Sequence, residues 1–270
     1  MHQLKENSSF TDEILIRTIL FFLSYCFYYF IISGLTVFFS ARWKNTTLAL
    51  TSMLGVWIIW TMFLPNILMS SAEKWHSLPS RSEFKSAMKE DRSKGMDGHN
   101  PADKRGIELK EKVLKEYGVD SLSQLPINFN GIRMQADEEY GNIVRDKHFG
   151  HNREVLQKQK QSFQLGGIIN PFISLQNTSM GFMASDNLHH QEFLLQVENY
   201  RRVFIKMLNE KETFSSSKTG REDNAFFRSV PDFNYKPIQI SAVISNYMLD
   251  IGLLILWSIL VIVLIVFGTK

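Results

Sequence analysis

Apolar positions in this chain crowd into three stretches near its two ends, and the long middle mixes charged and apolar residues at helical spacing. From Thr18 to Phe39 no charged residue occurs, and at 1.5 Å per residue such a run crosses a hydrocarbon core of about 30 Å. Thr47–Leu68 is equally long and uncharged, with Trp57 and Trp60 inside it and Pro65 toward its far end. Ile251–Phe267 is shorter, and the preceding AVISNYMLD supplies the rest of a third span. The pattern predicts transmembrane helices over about 14–40 and 46–69, with the last within 241–270. The first run is longer than a signal-peptide core and lacks a small-x-small cleavage site, so it is expected to stay in the protein.

Between them, residues 71–240 carry helical patterns. A helix is expected near Ser82–Lys94. A second has Asn100 as N-cap, Pro101 in its first turn, an apolar stripe of Ile107, Leu109, Val113 and Leu114, and Gly118 just past its end. SLSQLPINFNGIRMQ reads as a loop broken by Pro126 and Gly131. Ala136–Gln164 reads as one or two charged helices weakened at Gly141 and Gly150. NPFISLQNTSMGFMAS is apolar enough to be buried or to lie against a bilayer. A strong helix follows from Asp186 to about Glu212, and a polar return segment holds Pro231 and Pro237. No strand-like alternation of useful length and no repeat occurs. The expected fold is an all-α membrane protein: residues 1–70 hold two transmembrane helices, 71–240 a mostly helical domain, and 241–270 the last transmembrane helix.

Charge sets the orientation. The short connection SARWKNT carries Arg42 and Lys44 and no acid, which keeps it cytoplasmic. Residues 71–240 are then extracytoplasmic, and Lys270 ends on the inner side. The same count puts the N-terminal MHQLKENSSFTDE outside without an export signal of its own; a first half of the chain that is missing or separately encoded would explain this. A net charge of +3, evenly mixed, offers no basic stripe for nucleic acid. The one cysteine, Cys26, lies in the first span and excludes an intramolecular disulfide.

Candidate chemistry starts at DNLHHQEFLLQVENYRR. Asp186, His189 and His190 lie within one turn, which suggests a metal site. Adjacent histidines on a helix diverge by about 100°, however, and three ligands from this turn do not readily converge. Asp186 also stands where an N-cap belongs, with Phe193, Val197, Tyr200, Phe204 and Leu208 forming the apolar seam behind it. His148 with His151, and His76 with His99, are the other pairs that a metal site would draw on. Glu198 and Arg202 form a favourable i, i+4 pair, and Glu198 and Arg201 are candidate docking groups. Asp250, the acid nearest the apolar core of a span, either sits at the headgroup boundary or lines a translocation path. Phosphate-binding loops, nucleophile elbows and C-x-x-C pairs are missing, so neither a cofactor nor an enzymatic activity is expected.

Several stretches in a fixed order, SARWKNTTLALTSMLGVWIIWTMFLPNIL, EKWHSLPSRSEF, GHNPADKR, EYGVDSLSQLPINFNGIRMQ and DNLHHQEFLLQVENYRRVFIKMLNE, resemble the bacterial ABC-2 type transporter permeases that carry a large extracytoplasmic domain. The resemblance covers roughly residues 15–268. It implies a multi-pass protein of the bacterial inner membrane that pairs as a homodimer or heterodimer and works with a cytoplasmic ABC ATPase. This chain would match the C-terminal half of such a permease, so a partner or missing permease half is expected. Arg42, Lys44, Asp250, Glu198 and Arg201 become transport or docking candidates on that reading. The rivals are a membrane-anchored metal-dependent hydrolase, motivated by the histidines, and an extracytoplasmic sensor or binding module.

Overall fold

The computed structural model describes residues 2–95, 103–214 and 224–268, and no strand occurs among them. In chain order the helices are α1 (His2–Arg42), α2 (Thr46–Ile58), α3 (Leu64–Trp75), α4 (Arg81–Ser93), α5 (Lys104–Tyr117), α6 (Phe129–Leu165), α7 (Pro171–Phe182), α8 (Asn187–Phe214), α9 (Asn224–Ser229), α10 (Ile240–Asn246) and α11 (Met248–Gly268). Three stretches are long and apolar enough to cross a membrane: Asp12–Arg42, Thr46–Trp75 and Met248–Gly268. The chain divides into two compact units. One gathers residues 1–77, 155–192 and 236–270; the other gathers 78–154 and 193–235.

In the first unit the three apolar stretches enclose a small core of Ile31, Leu35, Met53, Leu254 and Val261. Most of their remaining large side chains, from Phe22 to Val263, are exposed, as lipid-facing residues are. Polar groups inside these helices are met locally. Thr18, Ser24 and Thr36 donate to the carbonyls four residues back. A π-helical turn over Ile59–Phe63 links α2 and α3 ahead of Pro65, which has no N–H to give the turn before it. The side chain of Asn170 donates to the Trp60 carbonyl at 2.8 Å.

That bond comes from the turn that opens α7, a helix that packs along both α1 and α11. Phe172 meets Tyr28 with ring centroids 5.9 Å apart, and the Trp257 indole N–H donates to the Gly167 carbonyl at 2.9 Å, close to the midpoint of α11. The turn into α7 keeps its backbone satisfied: Ile169 N–H and Asn170 N–H both donate to the Gly166 carbonyl, and Asn170 Oδ1 caps α7 through Phe172 N–H. Residues 155–192, which the sequence pattern groups with the polar middle, therefore cluster with the apolar helices. A Cβ on Gly167 would press on Ser174 Oγ and Leu253, so the missing side chain lets the turn approach α11.

Three helix boundaries differ from the sequence expectation. α5 starts at Lys104 behind Asp103 rather than behind Asn100. Of the stretch before Ile251, Met248–Asp250 extend the last apolar helix as expected and the residues ahead of them do not, because the chain breaks at Tyr247 between α10 and α11. The Tyr247 ring packs against Gly181 and its hydroxyl reaches Asp186, which fixes the break. The expected loop around Gly131 is already helix, and α6 runs unbroken through Gly131, Gly141 and Gly150.

The second unit is zipped by charge. Ser80 and Glu83 form a capping box on α4. Asp91 accepts from Lys147 at 2.7 Å, Lys94 at 2.8 Å and His148 Nε2 at 2.9 Å, and these bonds hold its carboxyl well below the ordinary range. Asp103 caps α5 and Gly118, at φ 64°, ends it in the left-handed region. Asn100, Pro101 and His99 lie outside the described residues. On α8, Phe193 and Tyr200 are met by Phe233 and Tyr235 of the extended return segment, which covers part of the predicted seam.

Candidate functional site

The unusual polar chemistry of the first unit gathers where α6, α7, α8 and α11 meet. Asp186 precedes α8, and its Oδ1 accepts from the His189 backbone N–H at 3.1 Å. It is the N-cap that the sequence indicates. The same oxygen meets His189 Nδ1, and Oδ2 accepts from the Tyr247 hydroxyl. On its other side the His189 ring presents Nε2 to Arg17 Nη1 at 3.5 Å. A guanidinium only donates, so Nε2 accepts and the ring proton sits on Nδ1, facing Asp186. Arg17 also bonds Glu13 at 2.9 Å and the carbonyls of Phe182 and Ile238 at 3.4 and 2.5 Å. Burial pushes the Asp186 carboxyl upward, but the bonds from His189 and Tyr247 outweigh it and leave the group below its usual value. Burial and the Asp186 bond both push the Tyr247 hydroxyl up.

Asp250, one helical turn beyond the break at Tyr247, is fully buried and accepts from Gln164 Nε2 at 2.6 Å and Asn177 Nδ2 at 2.9 Å. Its side chain is clamped between two amides from α6 and α7. Lys160 feels the charge of both acids, and its Nζ stands 4.0 Å from the centroid of the Tyr247 ring. Burial draws its amine below the ordinary range, against the pull of Asp186 and Asp250. Lys160, Asp186, Asn177 and Tyr247 border a cavity of about 340 Å³ that also touches Pro65, Met69, Leu156 and Phe163.

The structure brings Asp186 and His189 together and leaves His190 exposed. His148 pairs with Asp91 rather than with His151. Among the described residues, no three His, Cys, Asp or Glu side chains gather as a metal site would require. Arg42 and Lys44 are exposed around the short connection between α1 and α2. Glu198 and Arg201 belong to the second unit, in a cluster wider than the helical pair the sequence suggests. Glu198 bonds Arg201 at 2.9 Å and Arg202 at 3.0 Å and lies 3.4 Å from Arg145. Arg201 reaches Glu138 at 2.7 Å, and Arg202 reaches Asp146. The Arg201 hydrogen bond, opposed by burial and helped by Arg202 and Arg145, lowers the Glu198 carboxyl to about 2.

Lys160, Tyr247, Gln164, Asn177 and Arg17 were not singled out by sequence reasoning. For Lys160 a signal existed: Leu156, Lys160 and Phe163 stand at i, i+4 and i+7, which places a lysine inside an apolar stripe.

Among the described residues the architecture is all-helical, with three helices long and apolar enough to cross a membrane and, in chain order, a polar helical stretch between the second and third. Residues 81–236 match the model of DUF3526, a domain of unknown function, and the chain belongs to that family. No curated protein and no solved structure matches it.

Proposed function

We propose that this chain is a membrane-embedded permease subunit, or the C-terminal part of one, of an ABC-2 type transporter. On this reading the three apolar helices form walls of a translocation path and the polar unit stands on the extracytoplasmic side as an outer gate or cargo-docking domain. ATP hydrolysis belongs to a separate cytoplasmic subunit, and alternating access carries the cargo. The observation that supports this reading over a tethered hydrolase is the packing of α7. Part of the family segment is built into the bundle against α1 and α11, with its turn bonded to Trp257 near mid-helix. An enzyme that needed only an anchor has no use for such an insertion, whereas a path wall is made of elements at that depth.

The test is affinity purification of the tagged full chain from its native membrane in a mild non-ionic detergent. Recovery of an ABC-type ATPase together with a polypeptide carrying further spans is the expected result. A folded, monodisperse chain recovered alone would overturn the proposal.

A further inference from the structure

Two side-chain atoms on the wall of the 340 Å³ cavity are buried with no hydrogen-bond partner among the described residues: Nζ of Lys160 and Oε1 of Gln176. The stacking on Tyr247 leaves the ammonium with three N–H groups to donate, and the amide oxygen has lone pairs to fill. The neighbouring acids do not supply what is missing. Asp186 is taken by His189 and Tyr247, and Asp250 by Gln164 and Asn177. Buried polar groups in a native fold are matched, so an unmet cation beside an unmet acceptor asks for an occupant with both an anionic oxygen and a donor.

The rest of the wall indicates what that occupant is attached to. Pro65, Met69, Leu156, Phe163 and Met180 are apolar. Pro65 and Met69 lie toward the Trp75 end of the second apolar stretch, and Tyr247 immediately precedes the third. The cavity thus opens where apolar helices end, the level at which lipid headgroups lie. Its volume holds about ten water-sized groups, enough for a phosphate, a short polar arm and the first carbons of a chain. With Asp186 and Asp250 close by, a dianion is poorly matched, and a headgroup that brings its own donor is well matched.

We propose that this cavity binds a phospholipid headgroup, with the phosphodiester on Lys160 and an amine or hydroxyl of the head donating to Gln176. Lysine recognises the phosphate as a point charge, and the amide oxygen selects heads that carry an N–H or O–H. This site is independent of the permease reading, because lipid selectivity is measured on the purified chain whether or not an ATPase accompanies it.

The experiment is native mass spectrometry of the full chain in a non-ionic detergent, titrated with phosphatidylethanolamine and, separately, with phosphatidylcholine of the same chains. The trimethylated head offers no donor, so the wild-type chain is expected to retain phosphatidylethanolamine about fivefold or more in preference. Lys160→Met is expected to weaken both lipids, and Gln176→Leu to abolish the preference while leaving phosphatidylcholine unchanged. Displacement by millimolar glycerophosphoethanolamine would support the same headgroup chemistry with a soluble ester as the source; failure of the soluble ester to compete supports the lipid. Equal retention of the two lipids by the wild-type chain, the outcome for a site bridged by water alone, overturns the proposal without recourse to any variant.

Discussion

Replacing Asp186 by alanine is expected to lower the thermal midpoint of the full chain in detergent by roughly 10 °C, corresponding to a loss of about 3–5 kcal/mol. Three donors converge on this carboxylate: the His189 backbone N–H, its ring Nδ1–H and the Tyr247 hydroxyl. Asp186, His189 and Tyr247 are each nearly or fully buried. An N-cap alone contributes about 0.5–2 kcal/mol, and each buried donor left unmatched costs about 1–3 kcal/mol, so the sum is large even after non-additivity. Asparagine keeps the cap oxygen but turns an NH₂ toward one of the donors, and is expected to cost about 1–3 kcal/mol. The sign with pH follows from the depressed carboxyl: its contribution is present above the unfolded value near pH 4 and is lost as the pH falls toward and below the folded one. Tryptophan fluorescence is a suitable readout, since Trp60 and Trp257 pack together in the same unit. An Asp186→Ala chain that melts with the wild type would show that the convergence holds nothing.

The second large effect is expected from adding one methyl group at Gly131. Here α6 and α8 come so close that a Cβ would stand 2.5 Å from the Asn209 carbonyl oxygen and 2.6 Å from the Thr213 nitrogen, both backbone atoms, and against Thr213 Oγ1. Polar bonds tie the same crossing: Asn128 N–H to the Thr213 carbonyl at 2.7 Å, Asn128 to Glu212 at 2.7 Å and Asn209 to Gln135 at 3.0 Å. Backbone cannot rotate aside as a side chain does, so Gly131→Ala is expected to destabilise by about 1–3 kcal/mol despite the better helix propensity of alanine, worth about 1 kcal/mol. At Gly150, in the same helix, an added methyl would meet nothing nearer than the Arg153 guanidinium at 3.8 Å. Gly150→Ala is therefore expected to be neutral or stabilising by up to about 1 kcal/mol. Chemical denaturation of the two variants in parallel checks the opposite signs; equal effects would mean that propensity alone governs both positions.

The contrast between those glycines marks what a sequence can express. Apolar runs, caps and terminators act through near neighbours, so the three membrane-length stretches, the cap at Asp186 and the left-handed end at Gly118 were all legible. Gly131, Gly141 and Gly150 read as weak points because propensity is local. The structure shows one continuous helix in which Gly131 is required by a partner some eighty residues away in sequence. Asp250 could be recognised as an acid next to a span, but its amide clamp comes from Gln164 at the end of α6 and Asn177 on α7, which the fold brings to α11 from more than seventy residues away in sequence. The breadth of the Glu198 cluster was hidden for the same reason: Glu138, Arg145 and Asp146 approach it from another helix.

The most direct test of the membrane arrangement underlying the proposed function is labelling of single cysteines with a membrane-impermeant maleimide, in a chain carrying Cys26→Ser. Lys44 and His190 are both exposed on the fold, and the charge pattern predicts that they lie on opposite sides of the membrane. His190→Cys is expected to label in intact cells, or in spheroplasts if an outer barrier is present, and Lys44→Cys only after the membrane is permeabilised. Labelling of Lys44→Cys from outside, with His190→Cys protected until permeabilisation, would contradict an extracytoplasmic segment 71–240 between two membrane spans.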